Sequence, residues 1–180
     1  GMENAYLGLP TEELERAAEV YWGAADQRNA VLLFRRARTA VMPAATLNCS
    51  ARDLAIFYQM MVNHGLYNGY RFVSPEAVEQ AIAMGSEGID ETLETFVRWA
   101  HGFGLGGPRP LDENGEDNSS LGRFSTVRTF GHNGQRSCIG WADIDQQIVV
   151  AFTCNQLMGE EESLARWQAI AEAVWTAVAE

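Results

Sequence analysis

The chain has 180 residues, 47% of them hydrophobic and five of them tryptophan, which suffices for one substantial core and makes a single domain over 1–180 the expectation. A formal net charge of -11 repels phosphate backbones and argues against a nucleic-acid partner. The small basic cluster Arg35, Arg36 and Arg38 then reads as a solvated or carboxylate-pairing face.

All thirteen basic residues are arginine. Without a lysine, no Schiff base, P-loop lysine or Ser-Lys dyad can be completed within the chain. Cys49, Cys138 and Cys154 are odd in number, widely spaced and without a CxxC pair, so they indicate neither a disulfide framework nor a zinc knuckle. No apolar run approaches a membrane span, and "GMENAYLGLP" lacks a signal-peptide pattern. Gly1 before Met2 reads as a tag-cleavage scar; with Met2 as the start, a cytoplasmic location and no membrane partner are expected.

In chain order, residues 11–24 carry Leu14, Ala17, Ala18, Tyr21 and Trp22 at helical spacing, with Thr11 as cap after Pro10, and predict an amphipathic helix. "SARDLAIFYQMMVNHG" predicts a second helix, opened by the capping-box pair Ser50 and Asp53 and stopped by Gly65. "SPEAVEQAIAM" predicts a third, capped by Ser74 with Pro75 at its first position. The helical portion thus occupies about 10–85. From 86 to 126 Gly, Pro and polar residues predominate, and loops around one short strand near "HGFGL" are expected. A formal GxGxxG, Gly102 to Gly107, is followed by "PRP" and not by a helix, so it lacks the context of a phosphate-cradling loop.

From 127 the hydrophobic period changes to two. "SCIGWADI" and "QQIVVAFTC" predict a β-hairpin, and Glu160 onward a closing helix with Leu164, Trp167, Ala171, Val174, Trp175 and Val178 on one side. Helices, then loops, then antiparallel strands, then a covering helix make an α+β layout.

Chemistry is harder to find. His64, His101 and His132 stand apart without metal-ligand spacing, and a GxSxG elbow is absent, so neither a metal nor a cofactor is expected. His132 is set apart by its flanks: "FGHNG" puts it at a strand end, before a glycine that lets a backbone or ligand come close. Taken alone, a histidine in such a place is more often a packing residue than a catalytic one.

The combination of segments resembles the serine β-lactamases of class C type and the related penicillin-binding-protein-like esterases and D-amino-acid peptidases. In that family a strand bearing Lys-Thr-Gly, or His-x-Gly in many esterase-like members, walls the active site; here His132, Asn133 and Gly134 match it. "GWADIDQQIVVAFTCNQL" is similar to the two strands that follow, "MPAATLNCSARDLAIFYQMMVNHGLYNGYRFVSPEAV" to the preceding helical segment, and "YLGLPTEELERAAEVY" to the stretch after the family's tyrosine motif. The resemblance spans nearly the whole chain. It implies a partial β-lactamase/transpeptidase-like fold and a small acyl substrate: a β-lactam, ester or D-peptide. His132 becomes the catalytic candidate, and Asn133, Gly134, Gln135 and Asn155 the substrate-binding candidates, with the Gln135 N–H as one oxyanion-hole donor.

The family's Ser-x-x-Lys and Tyr-x-Asn/Ser motifs have no counterpart here. "YQM" at Tyr58 lies within an expected helix, and "YNG" at Tyr67 in the turn after it. The resemblance therefore implies a C-terminal part, inactive alone, with a non-catalytic binding or complementing module as the alternative. Such a part should leave an unpaired strand edge and an apolar face including Ile139, Trp141, Val149 and Phe152, to be covered by a second copy or by a missing N-terminal half.

Overall fold

The computed structural model describes residues 1–22, 37–134 and 136–179. The chain runs through β1 (Ala5–Leu7), a 3-10 turn (Thr11–Arg16), β2 (Tyr21–Trp22), β3 (Leu47–Cys49), α1 (Ala51–Val62), β4 (Leu66–Tyr67), β5 (Tyr70–Arg71) and α2 (Pro75–Ile82). It continues through β6 (Ser86–Asp90), β7 (Thr95–Trp99), β8 (Gly104–Leu105), β9 (Thr129–Gly134), β10 (Cys138–Asp143), β11 (Ile148–Thr153), β12 (Gln156–Leu157) and α3 (Glu160–Ala179). Strands β6 to β11 form one antiparallel sheet in the order β11-β10-β9-β8-β7-β6.

The expected cap of α1 forms: the Ser50 hydroxyl accepts the Asp53 N–H at 3.0 Å. The reciprocal half of a capping box does not. The Asp53 carboxylate instead accepts the N–H groups of Asn4 (2.7 Å) and Glu3 (3.3 Å), fastening the N-terminal segment to the helix. Gly65 stops the helix with a φ of 88°, and a Cβ there would lie 2.1 Å from the Val73 carbonyl oxygen. In α2, Ser74 caps the Ala77 N–H at 3.1 Å, as expected.

Two expectations are corrected. The helix over 11–24 is only the 3-10 turn Thr11–Arg16, after which Ala17 is extended; residues 23 and 24 lie outside the described residues. This turn buries no side chain and has no side-chain cap, so little favours lengthening it. The extended route instead lets Tyr21 N–H reach the Asn155 carbonyl (2.7 Å) and β2 pair in parallel with β12. The second correction falls in the loop-rich 86–126 region, where β6 and β7 form a hairpin with five registered pairs from Ser86↔Trp99 to Asp90↔Thr95. The Asp90 carboxylate closes its turn by accepting the N–H groups of Thr92 (2.8 Å) and Leu93 (2.9 Å).

Strand side chains alternate between the two faces, and at β9 to β11 both faces are covered. One face packs Phe130 and Ala142 against Tyr58, Met61 and Val62 of α1. The other packs Ile139 and Trp141 against Trp167, Ala171 and Trp175 of α3. The β10–β11 turn is closed by Asp143, which accepts the N–H groups of Asp145 (3.1 Å) and Gln146 (2.9 Å) and the Thr129 hydroxyl (2.8 Å). The expected exposed apolar face is thus overturned. Ile139 and Trp141 are fully buried beneath α3, and Val149 and Phe152 are half-buried against the α1 and α3 layers. At the sheet edge, β11 has a single strand neighbour, β10, among the described residues. No helix among those residues is long and apolar enough to cross a membrane.

Candidate functional site

Strand β9 carries the candidate residues, and the pairing around it decides what they can do. Its inner edge pairs with β10 along its length, from Thr129↔Asp143 to Gly134↔Cys138. Its outer edge pairs with β8 only at Phe130 and Gly131. The β7–β8 connection, closed by Ala100 N–H to the Phe103 carbonyl at 2.8 Å, turns the chain away before it can reach His132. His132, Asn133 and Gly134 therefore present an outer backbone edge that no strand of the described residues covers. An extended ligand could add there as a further strand, held by main-chain hydrogen bonds.

The His132 side chain is exposed but not unconstrained. Its Nδ1 lies 2.5 Å from the Asn133 carbonyl oxygen, and its ring stacks on the Trp99 indole with centroids 5.7 Å apart and 29° between planes. Beneath it, Tyr58 is in the core, its ring 5.9 Å from Phe130, and burial pushes its hydroxyl pKa well above the usual value. Tyr58 lies within α1, as expected of "YQM", and a hydrogen bond from the His132 main chain opposes the rise.

Gly134 begins the turn into β10. Its carbonyl accepts the Ser137 N–H (3.1 Å) and the Cys138 thiol (3.2 Å). Gln135, the candidate oxyanion-hole donor, lies outside the described residues. Arg136 follows with a φ of 57°, and its carbonyl accepts the hydroxyl of the fully buried Ser163, which ties this turn to the first turns of α3. Asn155 is exposed, two residues past the end of β11. Gly134, Cys138 and Thr153 align across the sheet, so Asn155 shares the site's end of the sheet with β10 in between. Two strand spacings, roughly 10 Å, separate β9 from β11.

A cavity of about 550 Å³ opens beside β9, within the range of small-molecule sites. His132 and Asn133 line it, together with Arg98 and Trp99 of β7, Arg109 and Trp167; Asn155 does not. Arg98 Nη1 donates to the Gly106 carbonyl at 2.7 Å, and its Nε forms a close ion pair with Glu87 at 2.9 Å without hydrogen-bond alignment. Arg109 Nη2 donates to the Leu105 carbonyl at 2.8 Å, while Asp117 is 3.8 Å from its Nε. Burial lowers the Arg109 pKa, with Asp117 opposing. These arginines and Trp99 were hidden in the sequence because they sit in the stretch read as loop. The β-former-rich "TFVRW" was the signal that could have placed Arg98 and Trp99 on a strand; Arg109 lies in the loop after β8.

Two of the cysteines are disfavoured as nucleophiles. Burial, with Cys138 and Asp53 nearby, pushes the Cys49 thiol up to about 11, and burial raises that of Cys138. Among the described residues no group of His, Cys, Asp and Glu is placed to hold a metal. Gly102 to Gly107 form a turn and β8, with no helix following.

Among solved structures, the chain is similar to a family VIII carboxylesterase (24% identity, TM-score 0.68), covering 93% of this chain and 47% of that one. It is similar to a penicillin-binding protein homologue from Caulobacter crescentus (22%, TM-score 0.67; 94% and 48%) and to EstA from Arthrobacter nitroguajacolicus (22%, TM-score 0.68; 98% and 51%). At these identities the likeness establishes the fold. The chain spans about half the length of these structures. No curated protein matches it. The Beta-lactamase family model matches residues 1–174, and with the helices, antiparallel sheet and C-terminal helix in the same arrangement, the chain belongs to the Beta-lactamase family.

Proposed function

We propose that this chain is the C-terminal portion of a serine β-lactamase-, esterase- or D-peptidase-like hydrolase, and that it supplies the His132 wall of an acyl-transfer site without the nucleophile. The observation that carries the reading is the open outer edge of β9 at His132–Gly134, beside a cavity, in a chain with no lysine to complete Ser-x-x-Lys. Covalent acyl transfer needs an activated nucleophile and a pair of donors for the oxyanion. On this reading the Gln135 N–H is one donor, and the nucleophile's own N–H is the other. His132 stands by the acyl carbonyl or the leaving group, and Asn133, Gly134 and Asn155 bind substrate. Histidine in the place of the family's lysine favours an ester or peptide over a β-lactam, and the carboxylesterase among the similar structures supports the same direction.

The free edge of β11 suits pairing with strands of an N-terminal half, or with a second copy when that half is absent. A second reading, a non-catalytic binding module, is favoured by strands β9 to β11 already covered on both faces and by the cavity beside β9. Reading the DNA upstream of the Met2 codon separates the two. An in-frame Ser-x-x-Lys supports the hydrolase portion; a stop codon directly upstream, with no separately encoded half, supports the binding module.

A further inference from the structure

The imidazole of His132 is solvent-exposed yet held on two sides. We propose that Trp99 is a positioning residue for His132: stacked on its imidazole, it holds the ring with Nδ1 protonated towards the Asn133 carbonyl and Nε2 free to exchange a proton. The assignment of the proton follows from chemistry. A carbonyl oxygen only accepts, so the nitrogen 2.5 Å from it must be the N–H, and in the neutral ring the other nitrogen carries the lone pair. Nε2 makes no hydrogen bond to the described residues.

Trp99 is suited to the task because its backbone is fixed from both sides. It pairs with Ser86 of β6 and Gly104 of β8, and its carbonyl accepts the Gly85 N–H at 2.8 Å. The indole packs over Gly104, where a Cβ would be in ordinary contact with Trp99 Cζ3 at 3.6 Å. Holding one orientation costs an exposed histidine rotamer entropy, and the stacking contact offsets that cost. A role for Nε2 in acyl transfer rests on the hydrolase reading above, whereas the stack and the tautomer do not.

The test is nitrogen-detected NMR of the 15N-histidine-labelled full chain at a pH where its three imidazoles are neutral, with His132 assigned by loss of its signals in His132→Gln. The expected spectrum shows His132 with a protonated Nδ1 and an unprotonated Nε2, and its ring protons displaced upfield by the indole. Trp99→Ala and the bulkier Trp99→Leu should both abolish the upfield displacement and move the ring towards the Nε2–H form that free histidine prefers, while Trp99→Phe should restore both. Trp99→Leu keeps apolar volume on β7, and an unchanged backbone spectrum in it separates loss of positioning from loss of fold. An Nε2–H tautomer in the unsubstituted chain, or His132 shifts that ignore Trp99→Leu, would overturn the proposal. Neither result requires substrate, so failure of the hydrolase reading would not be mistaken for failure here.

Discussion

The Trp141 indole lies nearly flat against that of Trp175, with centroids 5.2 Å apart and planes 18° from parallel. This contact joins the centre of β10 to α3 and covers the face that the sequence led us to expect open. Trp175→Ala leaves a large void over a fully buried Trp141 and should cost about 3–5 kcal/mol of unfolding free energy. Urea unfolding followed by far-UV circular dichroism measures it, and an effect under about 1 kcal/mol, the size of a minor core change, would show that α3 is not a structural cover.

On the opposite face Gly140 is the point of closest approach between β10 and α1. A Cβ there would sit 2.4 Å from Tyr58 Cε2 and 2.9 Å from Leu54 Cδ2. Gly140→Ala should therefore destabilise by about 1–3 kcal/mol through overpacking, measured in the same way.

The N-terminal segment should be released by acid. Burial opposes ionisation of Asp53, but the N–H groups of Asn4 and Glu3, then Ser50 and Arg52, outweigh it and hold its pKa below the usual value. A carboxylate depressed in the folded state contributes stability above its unfolded pKa, about 3.9, and that stability is lost as pH falls through the folded value. Stability should therefore decline below about pH 4, and Asp53→Asn should lower it at neutral pH while flattening that decline. Glu79, held low first by its hydrogen bonds from Arg128, acts in the same direction with a smaller effect because the pair is partly exposed.

With the faces of β9 to β11 covered, self-association is expected through a strand edge left unpaired among the described residues, of which that of β11 is one. Light scattering across the micromolar range should show a concentration-dependent dimer, and a strict monomer throughout would remove the second copy as a partner.

Elements whose local and tertiary demands agree were legible in the sequence. Ser50, Ser74 and Gly65 delimit helices by chemistry within a few residues, and the near-continuous apolar run "IVVAFT" of β11 matches a strand covered on both faces. The β6–β7 hairpin was not legible, because an edge strand such as "SEGID" needs few apolar residues and resembles a loop in composition. The sequence over 11–24 has helical spacing, but the chain gains more by pairing Tyr21 and Trp22 with β12, a contact 135 residues away in register. His132 was visible through its flanking glycines, whereas Trp99 and the two arginines lay in the unrecognised strand and the loop after it.

The most direct test of the central claim is to expose the purified chain to a fluorophosphonate, a p-nitrophenyl ester and a chromogenic cephalosporin, following intact mass and hydrolysis together. On the proposed reading the account predicts an unmodified mass and background hydrolysis, because the chain has no lysine to complete a Ser-x-x-Lys. A covalent adduct on one serine, with turnover lost when that serine is changed to alanine, would contradict it.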